Sequence, residues 1–251
     1  MTNPATIEIR DLRFSYPDGT RVLDGVDLDV VAGERVAVLG PNGAGKTTLM
    51  LHLNGILRPE SGTVSIDGTE VTPATARAIR QRVGLVFQDP DDQLFMPTIG
   101  EDVAFGPANY GLRGPALDAR VARALAQVGL TDAADRPPQR LSLGQRRRAA
   151  IATILSMDVD VVVLDEPTSN LDPTARRELT QTLDALAATV VVVTHDLPYA
   201  LELCPRSVIL DHGRIVADGP TVELLGDADL LRRHRLELPW GFDPRGARER
   251  L

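Results

Sequence analysis

Hydrophobic positions fall into three textures along this chain: strict alternation, short unbroken runs, and helical spacing. Ile7 and Ile9 alternate with polar neighbours, and Val26, Leu28 and Val30 alternate around Asp27 and Asp29. Asp18-Gly19 between them is a hairpin signal, so the first stretch predicts antiparallel β structure. Val36 to Leu39 is unbroken and apolar, the texture of a buried strand, and leads through a glycine-rich loop to a helix beginning near Lys46. A second hairpin is expected near Gly62 to Gly68, and another buried strand at Val83 to Phe87.

From about Asp89 to Asp158 the β signal gives way to alanine- and arginine-rich text. Arg120 to Val128 carries apolar residues at helical spacing, and Pro137-Pro138 breaks the chain before a helix start at Ser142. Strand text returns at Val159 to Leu164 and Val190 to Val193, with a helix between them from about Pro173 to Ala188. A hairpin around Asp211-His212-Gly213 and a helix from about Thr221 to Arg235 follow. The pattern predicts an α/β fold with a mainly parallel sheet, an antiparallel β subdomain and an inserted helical lobe. Residues 1–236 are expected to form one domain, with its core in residues 1–88 and 159–236 and its lobe in about 89–158. Residues 237–251, rich in Pro, Gly and Arg, are expected to be loosely ordered.

Composition narrows the function classes. The net charge of −8 argues against a general nucleic-acid partner, which would meet a basic face. Aromatic residues at 4% are too few for base-stacking platforms. Arg146-Arg147-Arg148 is the exception in charge and reads as a solvated helix face. Cys204 is the sole cysteine, which excludes a disulfide framework and reads as a packed side chain in a reducing compartment. No run approaches the roughly 18 apolar residues that span a bilayer. Met1 to Arg10 lacks the pattern of a signal peptide, so a cytoplasmic location is expected.

The chemistry is concentrated at the ends of the buried runs. Lys46 is the only lysine in the chain; every other basic side chain, histidines aside, is arginine. It sits in Gly40-Pro41-Asn42-Gly43-Ala44-Gly45-Lys46-Thr47, which fits G-x-x-x-x-G-K-[ST]. Arginine's planar fork cannot replace a compact ammonium that must reach between phosphates from inside a tight loop. Backbone N–H groups from Gly43 to Thr48 would face the phosphates, with the positive end of the following helix behind them. The Thr47 hydroxyl would ligate Mg²⁺. Val161 to Leu164 then ends in Asp165-Glu166. Downstream of a phosphate loop, Asp165 is expected to hold Mg²⁺ through water, and Glu166 to position a water against the terminal phosphoryl group. A nucleoside triphosphate and Mg²⁺ are therefore the expected cofactors.

Leu141-Ser142-Leu143-Gly144-Gln145, followed by the three arginines, resembles the L-S-G-G-Q signature of the ABC-type ATPases. By itself Ser142 would read as an ordinary helix N-cap, and a capped helix start is also an anion site. The resemblance implies that the nucleotide is ATP, and that Ser142, Gly144 and Gln145 face a nucleotide held by a second ATP-binding subunit in a head-to-tail pair. Leu143 departs from the family, where glycine is usual. Four more landmarks follow by resemblance. Gln88 matches the glutamine that senses Mg²⁺, and Ser169-Asn170-Leu171-Asp172 the loop that crosses the dimer interface. His195 matches the histidine that contacts the γ-phosphate, and Tyr16 the aromatic that stacks on adenine. With Lys46 and Glu166, His195 completes the expected catalytic set. His52, His212 and His234 match nothing and read as structural.

The resemblance extends to the energy-coupling-factor importers of cobalt, nickel and vitamins. It rests on Val86-Phe87-Gln88-Asp89-Pro90-Asp91-Asp92-Gln93-Leu94-Phe95 and on Glu101-Asp102-Val103-Ala104-Phe105-Gly106-Pro107-Ala108-Asn109-Tyr110-Gly111-Leu112. It implies an integral membrane coupling subunit and a substrate-binding membrane subunit as partners, at the cytoplasmic face of the cell membrane. Two other readings stay open here: a soluble ABC ATPase of DNA repair or translation, and a phosphate-loop kinase. The first usually carries long insertions or two cassettes, and the second would not need Leu141 to Gln145. Phe95 and Met96, apolar in a charged and proline-rich stretch, either tuck into the lobe or form part of a groove for a partner helix.

Overall fold

The computed structural model describes residues 4–248. Strands β1 (Ile7–Ser15) and β2 (Arg21–Val30) pair antiparallel, with Ile7, Ile9, Leu12, Leu23, Val26, Leu28 and Val30 buried on one face. β3 (Arg35–Leu39) leads into the glycine loop and α1 (Lys46–Leu53). β4 (Ser61–Ile66) and β5 (Thr69–Glu70) form the second hairpin, turning at Asp67-Gly68, and β4 joins β1. The order β2-β1-β4-β5 is the expected antiparallel subdomain. α2 (Ala76–Arg82) runs directly into β6 (Val83–Val86).

The lobe follows as α3 (Ile99–Asn109), α4 (Gly114–Gln127) and α5 (Leu143–Leu155), with short 3₁₀ turns before α3 and between α4 and α5. Both α3 and α5 open with capping boxes, Thr98 with Glu101 and Ser142 with Gln145. Each box satisfies two backbone N–H groups that a helix start otherwise leaves orphaned. β7 (Val161–Asp165), α6 (Pro173–Asp184), β8 (Thr189–Val193), α7 (Leu197–Leu203), β9 (Arg206–Asp211) and β10 (Arg214–Pro220) return to the core. The second sheet is ordered β10-β9-β3-β8-β7-β6, parallel except for the β9–β10 hairpin.

Why the parallel strands read as unbroken apolar runs is visible in the two cores. Ala37, Leu39, Val162, Leu164, Val190 and Val192 pack on the lobe side. Val36, Val38, Val161, Val163, Val191 and Val193 pack on the other face, beneath α1 and the antiparallel sheet. Strands covered on both faces have no polar side to show. Each such side chain removed from water contributes about 1.5–3 kcal/mol.

Three expectations need correction. The helix of Thr221 to Arg235 is two helices, α8 (Thr221–Gly226) and α9 (Ala228–Arg233). Asp227 ends the first and caps the second, accepting from the N–H groups of Asp229 and Leu230. α6 stops at Asp184 rather than Ala188, because Arg35 donates to the Leu183 and Asp184 carbonyls and so satisfies the helix end. The expected loose tail is packed over its described part: α10 (Pro244–Arg248) forms, and Leu238, Phe242 and Ala247 rest against the core. Residues 1–3 and 249–251, the ends of the expected start and tail, lie outside the described residues.

Candidate nucleotide site

The phosphate loop joins the end of β3 to α1, and its shape depends on close backbone approach. A side chain at Gly45, where φ is +105°, would lie 2.9 Å from the Val22 carbonyl oxygen. Lys46 is buried, and its Nζ donates to the carbonyls of Gly40 at 2.7 Å and Pro41 at 3.0 Å. Burial lowers its pKa, opposed by the carboxylates of Glu166 and Asp165. Phosphate oxygens would be stronger partners for this ammonium than its own loop's carbonyls.

Strand ends supply the acids. Thr47 Oγ1 donates to Asp165 Oδ2 at 2.8 Å. Burial pushes the Asp165 carboxyl upward, against the pull of that hydrogen bond. Glu166, the residue after β7, has φ +45°, a left-handed conformation uncommon for a side chain of this size. Its carboxylate is held by the Thr194 hydroxyl at 3.0 Å, the His195 N–H at 3.0 Å and His195 Nδ1 at 2.7 Å. Strain of this kind concentrates at functional sites. Among these, the chain's loop and strand ends bring together Lys46, Thr47, Asp165, Glu166 and His195.

Two cavities meet over these groups. One of about 440 Å³ is lined by Tyr16, Asn42, Gly43, Gly45, Lys46, Thr47, Thr48, Gln88, Asp165 and Glu166. Tyr16 lies at its side, edge-on to Phe14 and hydrogen-bonded through its hydroxyl to Thr48 Oγ1 at 3.2 Å. The other, about 430 Å³, shares Thr47, Gln88 and Asp165 and runs toward the lobe, past Leu143, Arg147, Ser169 and Asn170. Thr47, Asp165 and Gln88 offer a hydroxyl, a carboxylate and an amide oxygen, donors suited to Mg²⁺. Among the described residues no cluster of three or more His, Cys, Asp or Glu forms a metal cage. A site with one carboxylate beside neutral oxygen donors would suit magnesium, which takes few carboxylates and keeps several waters.

Ser142, Gly144, Gln145 and Asp172 do not line the first cavity. Ser142 Oγ accepts from the Gln145 N–H at 3.2 Å, and Gln145 Oε1 from the Ser142 N–H at 3.0 Å. Gly144 lets α5 approach α6, since a Cβ there would lie 2.9 Å from that of Ala175. Asp172 caps α6, accepting from Thr174 and Ala175 at 2.8 and 2.9 Å.

Sequence reasoning missed two residues. Thr194, one residue past the run Val190 to Val193, carries no motif of its own, yet its hydroxyl donates to the Glu166 carboxylate. Arg147 was expected on a solvated face, yet it is 3% exposed and donates to the backbone carbonyls of Glu166 and of Gln88, the latter at 2.8 Å. Helical spacing held the signal: Arg147 shares a face with Leu143, Ala150 and Ile151. Arg148 pairs with Glu178, and Arg146 with Asp91 at 3.2 Å.

A strand–glycine-loop–helix unit with a paired threonine and aspartate defines a phosphate-loop nucleoside triphosphatase. Residues 23–169 match the ABC transporter family, so the chain belongs to the ABC transporter ATP-binding proteins, which bind ATP and hydrolyse it to power transport. It is 62% identical to a putative ABC transporter ATP-binding protein of Streptomyces coelicolor, over 98% of this chain and 94% of the relative. It is 49% identical to the energy-coupling factor transporter ATP-binding protein EcfA of Methanothermobacter thermautotrophicus, over 93% and 76%. Among solved structures it is similar to CbiO1 of Clostridium perfringens, part of the ABC transporter complex CbiONQ. That match has 34% identity and a TM-score of 0.81 over 97% of this chain and 98% of that one.

Proposed function

We propose that this chain is the motor subunit of an energy-coupling-factor importer, working at the cytoplasmic face of the membrane on uptake of a metal ion or vitamin-like micronutrient. The loop Gly40 to Thr48 holds the ATP phosphates, Tyr16 stacks on adenine, and Thr47, Asp165 and Gln88 hold Mg²⁺. The ion would supply charge neutralisation at the β- and γ-phosphates. Glu166, aimed by Thr194 and His195, orients the attacking water, and His195 faces the γ-phosphate. A second ATP-binding subunit, either a copy of this chain or a related one, pairs head-to-tail so that Ser142, Gly144 and Gln145 meet its nucleotide, with Asp172 in the crossing loop. EcfA relatives and the CbiO1 likeness support the importer class.

The observation that carries the coupling role is Phe95. It is 63% exposed and stacks edge-on against exposed Phe105, with ring centroids 4.9 Å apart. Its exposure is built in: buried Asp102 accepts from the N–H groups of Phe95 and Met96, both at 3.0 Å, while Leu94 before them is buried. Met96 is half-buried. An aromatic held out of the core close to Gln88 suits a groove for a helix of the membrane coupling subunit, with the substrate-binding subunit beyond it. Phe95→Ala is expected to weaken co-purification with membrane partners by about 2 kcal/mol, a hot-spot loss, while the isolated subunit keeps its ATPase activity. Lost ATPase activity with assembly intact would overturn the coupling role and tie Phe95 to the lobe's own packing against Phe105. A full-length chain that never co-purifies with integral membrane proteins would return the reading to a soluble ABC ATPase.

A further inference from the structure

Arg147 is a buried arginine without a carboxylate within ion-pair distance among the described residues. It takes part in no ion pair within 4 Å among the described residues, and its Nε has no hydrogen-bond partner there. Burial lowers its pKa, opposed only at longer range by Asp89 and Glu166, so desolvation outweighs the attraction it receives. Stability alone therefore gives little reason for an arginine here. Its two terminal nitrogens instead reach the carbonyls of two residues whose side chains line the nucleotide cavity, Glu166 and Gln88.

The Glu166 peptide is where this matters most. Its N–H donates to the Val193 carbonyl at 2.8 Å, its carboxylate is held by Thr194 and His195, and its carbonyl accepts from Arg147 and, at 3.2 Å, from the Ser169 N–H. With φ at +45°, that peptide is held against its local preference. Without Arg147 the carbonyl would keep only the Ser169 N–H, leaving less to hold the peptide at this φ. Arg147 also rides on α5, the signature helix, only a turn from Leu143 and Gly144. The helix stays docked without it, because Gln93 Nε2 donates to the Ala150 carbonyl and to Thr153 Oγ1, each at 2.8 Å.

We infer that Arg147 is a positioning residue that ties the signature helix to the Gln88 and Glu166 peptides, so that movement at one of the three is passed to the others. The inference rests on the roles proposed above for Gln88 and Glu166. Only arginine presents a planar fork able to reach two carbonyls at once; lysine offers a single ammonium on a flexible stem.

The test uses the purified full-length chain, with ATP affinity, kcat at saturating ATP and Mg²⁺, and thermal midpoint measured separately. Arg147→Met is expected to lower kcat by on the order of 10²-fold, the usual effect of displacing a reacting group by about an ångström. ATP affinity is expected to stay within about twofold, since uniform binding is untouched. The thermal midpoint is expected to stay near that of the parent. Arg147→Lys is expected to fall between the two, and it decides the matter if Arg147→Met does not fold. Unchanged kcat in either folded variant overturns the inference, as does an affinity loss that accounts for the whole effect. Glu166→Gln serves as the reference. If it hydrolyses ATP at the parent rate, the proposed site fails whatever Arg147 does; if it is inactive and both Arg147 variants are normal, only this inference fails.

Discussion

Two groups of residues make up the proposed ATP machinery, and they are held in opposite ways. Lys46, Thr47, Asp165, Glu166 and His195 stand at or just after the ends of β3, β7 and β8, and their side chains bond mostly to one another or to their own loop. Ser142, Gln145 and Asp172 stand at the starts of α5 and α6, and their side chains satisfy the backbone of the helices they open. The first group's bonds run among side chains and one loop, so phosphate, metal and water are expected to replace them at little cost to the fold. The second group's bonds are part of the fold. Chemistry and stability are thus separable at the strand ends and joined at the helix starts.

The largest effect that could break this comparison is at Lys46. Lys46→Arg keeps the charge but brings a broad fork into a buried slot now filled by one ammonium. Hydrolysis is expected to fall by on the order of 10²-fold, as when a single stabilising donor is lost from a site. The thermal midpoint is expected to hold, which melting curves without nucleotide will show. A variant that melts many degrees lower would mean that Lys46 supports the fold as well, and that the strand-end group is not separable.

Ser142 gives the intermediate effect, of the opposite kind. Ser142→Ala removes the acceptor for the Gln145 N–H and is expected to cost about 1 kcal/mol of stability even with no nucleotide present. For a chain of this size that lowers the melting temperature by about 2–4 °C. ATPase activity is also expected to fall if Ser142 meets the partner's nucleotide. An unchanged melting temperature with reduced activity would move Ser142 into the first group and remove the contrast.

The same division explains what the sequence disclosed. Strand-end chemistry was legible because each motif is contiguous and follows an apolar run covered on both faces, as at Val161 to Glu166. The parallel sheet, the antiparallel subdomain and the lobe followed from periodicity for the same reason. Helical spacing marks Arg147 for burial beside Leu143, Ala150 and Ile151, but its partners are backbone carbonyls of two distant loops, which no local pattern marks. The division of α8 from α9 turned on a single Asp227 side chain that could equally have been solvated. Composition suggested a loose tail, but Leu238 and Phe242 had a core face to cover. Leu143, where the family usually has glycine, lies half-buried toward the second cavity, a position that only the packing of α5 reveals.

The smallest expected effect lies beneath the strand-end group, at His52 on α1. It is fully buried, its Nδ1 is 2.7 Å from the Thr48 carbonyl oxygen, and its ring packs edge-on to Phe14, the neighbour of Tyr16. Burial lowers its pKa from the ordinary 6.5, outweighing the hydrogen bond to Thr48 that favours the charged form. The unfolded chain therefore takes up a proton near pH 6.5, and the folded chain does so only at lower pH. Unfolding binds a proton in that window, so stability is full above 6.5 and declines as the pH falls toward the folded value. Denaturant midpoints at pH 8 and pH 5.5, for the parent and for His52→Leu, isolate this contribution from that of the carboxylates. The parent is expected to lose more stability on acidification than His52→Leu does. Equal losses would show that His52 does not gate the acid stability of α1, leaving the scaffold under the phosphate loop as insensitive to pH as the comparison would otherwise require.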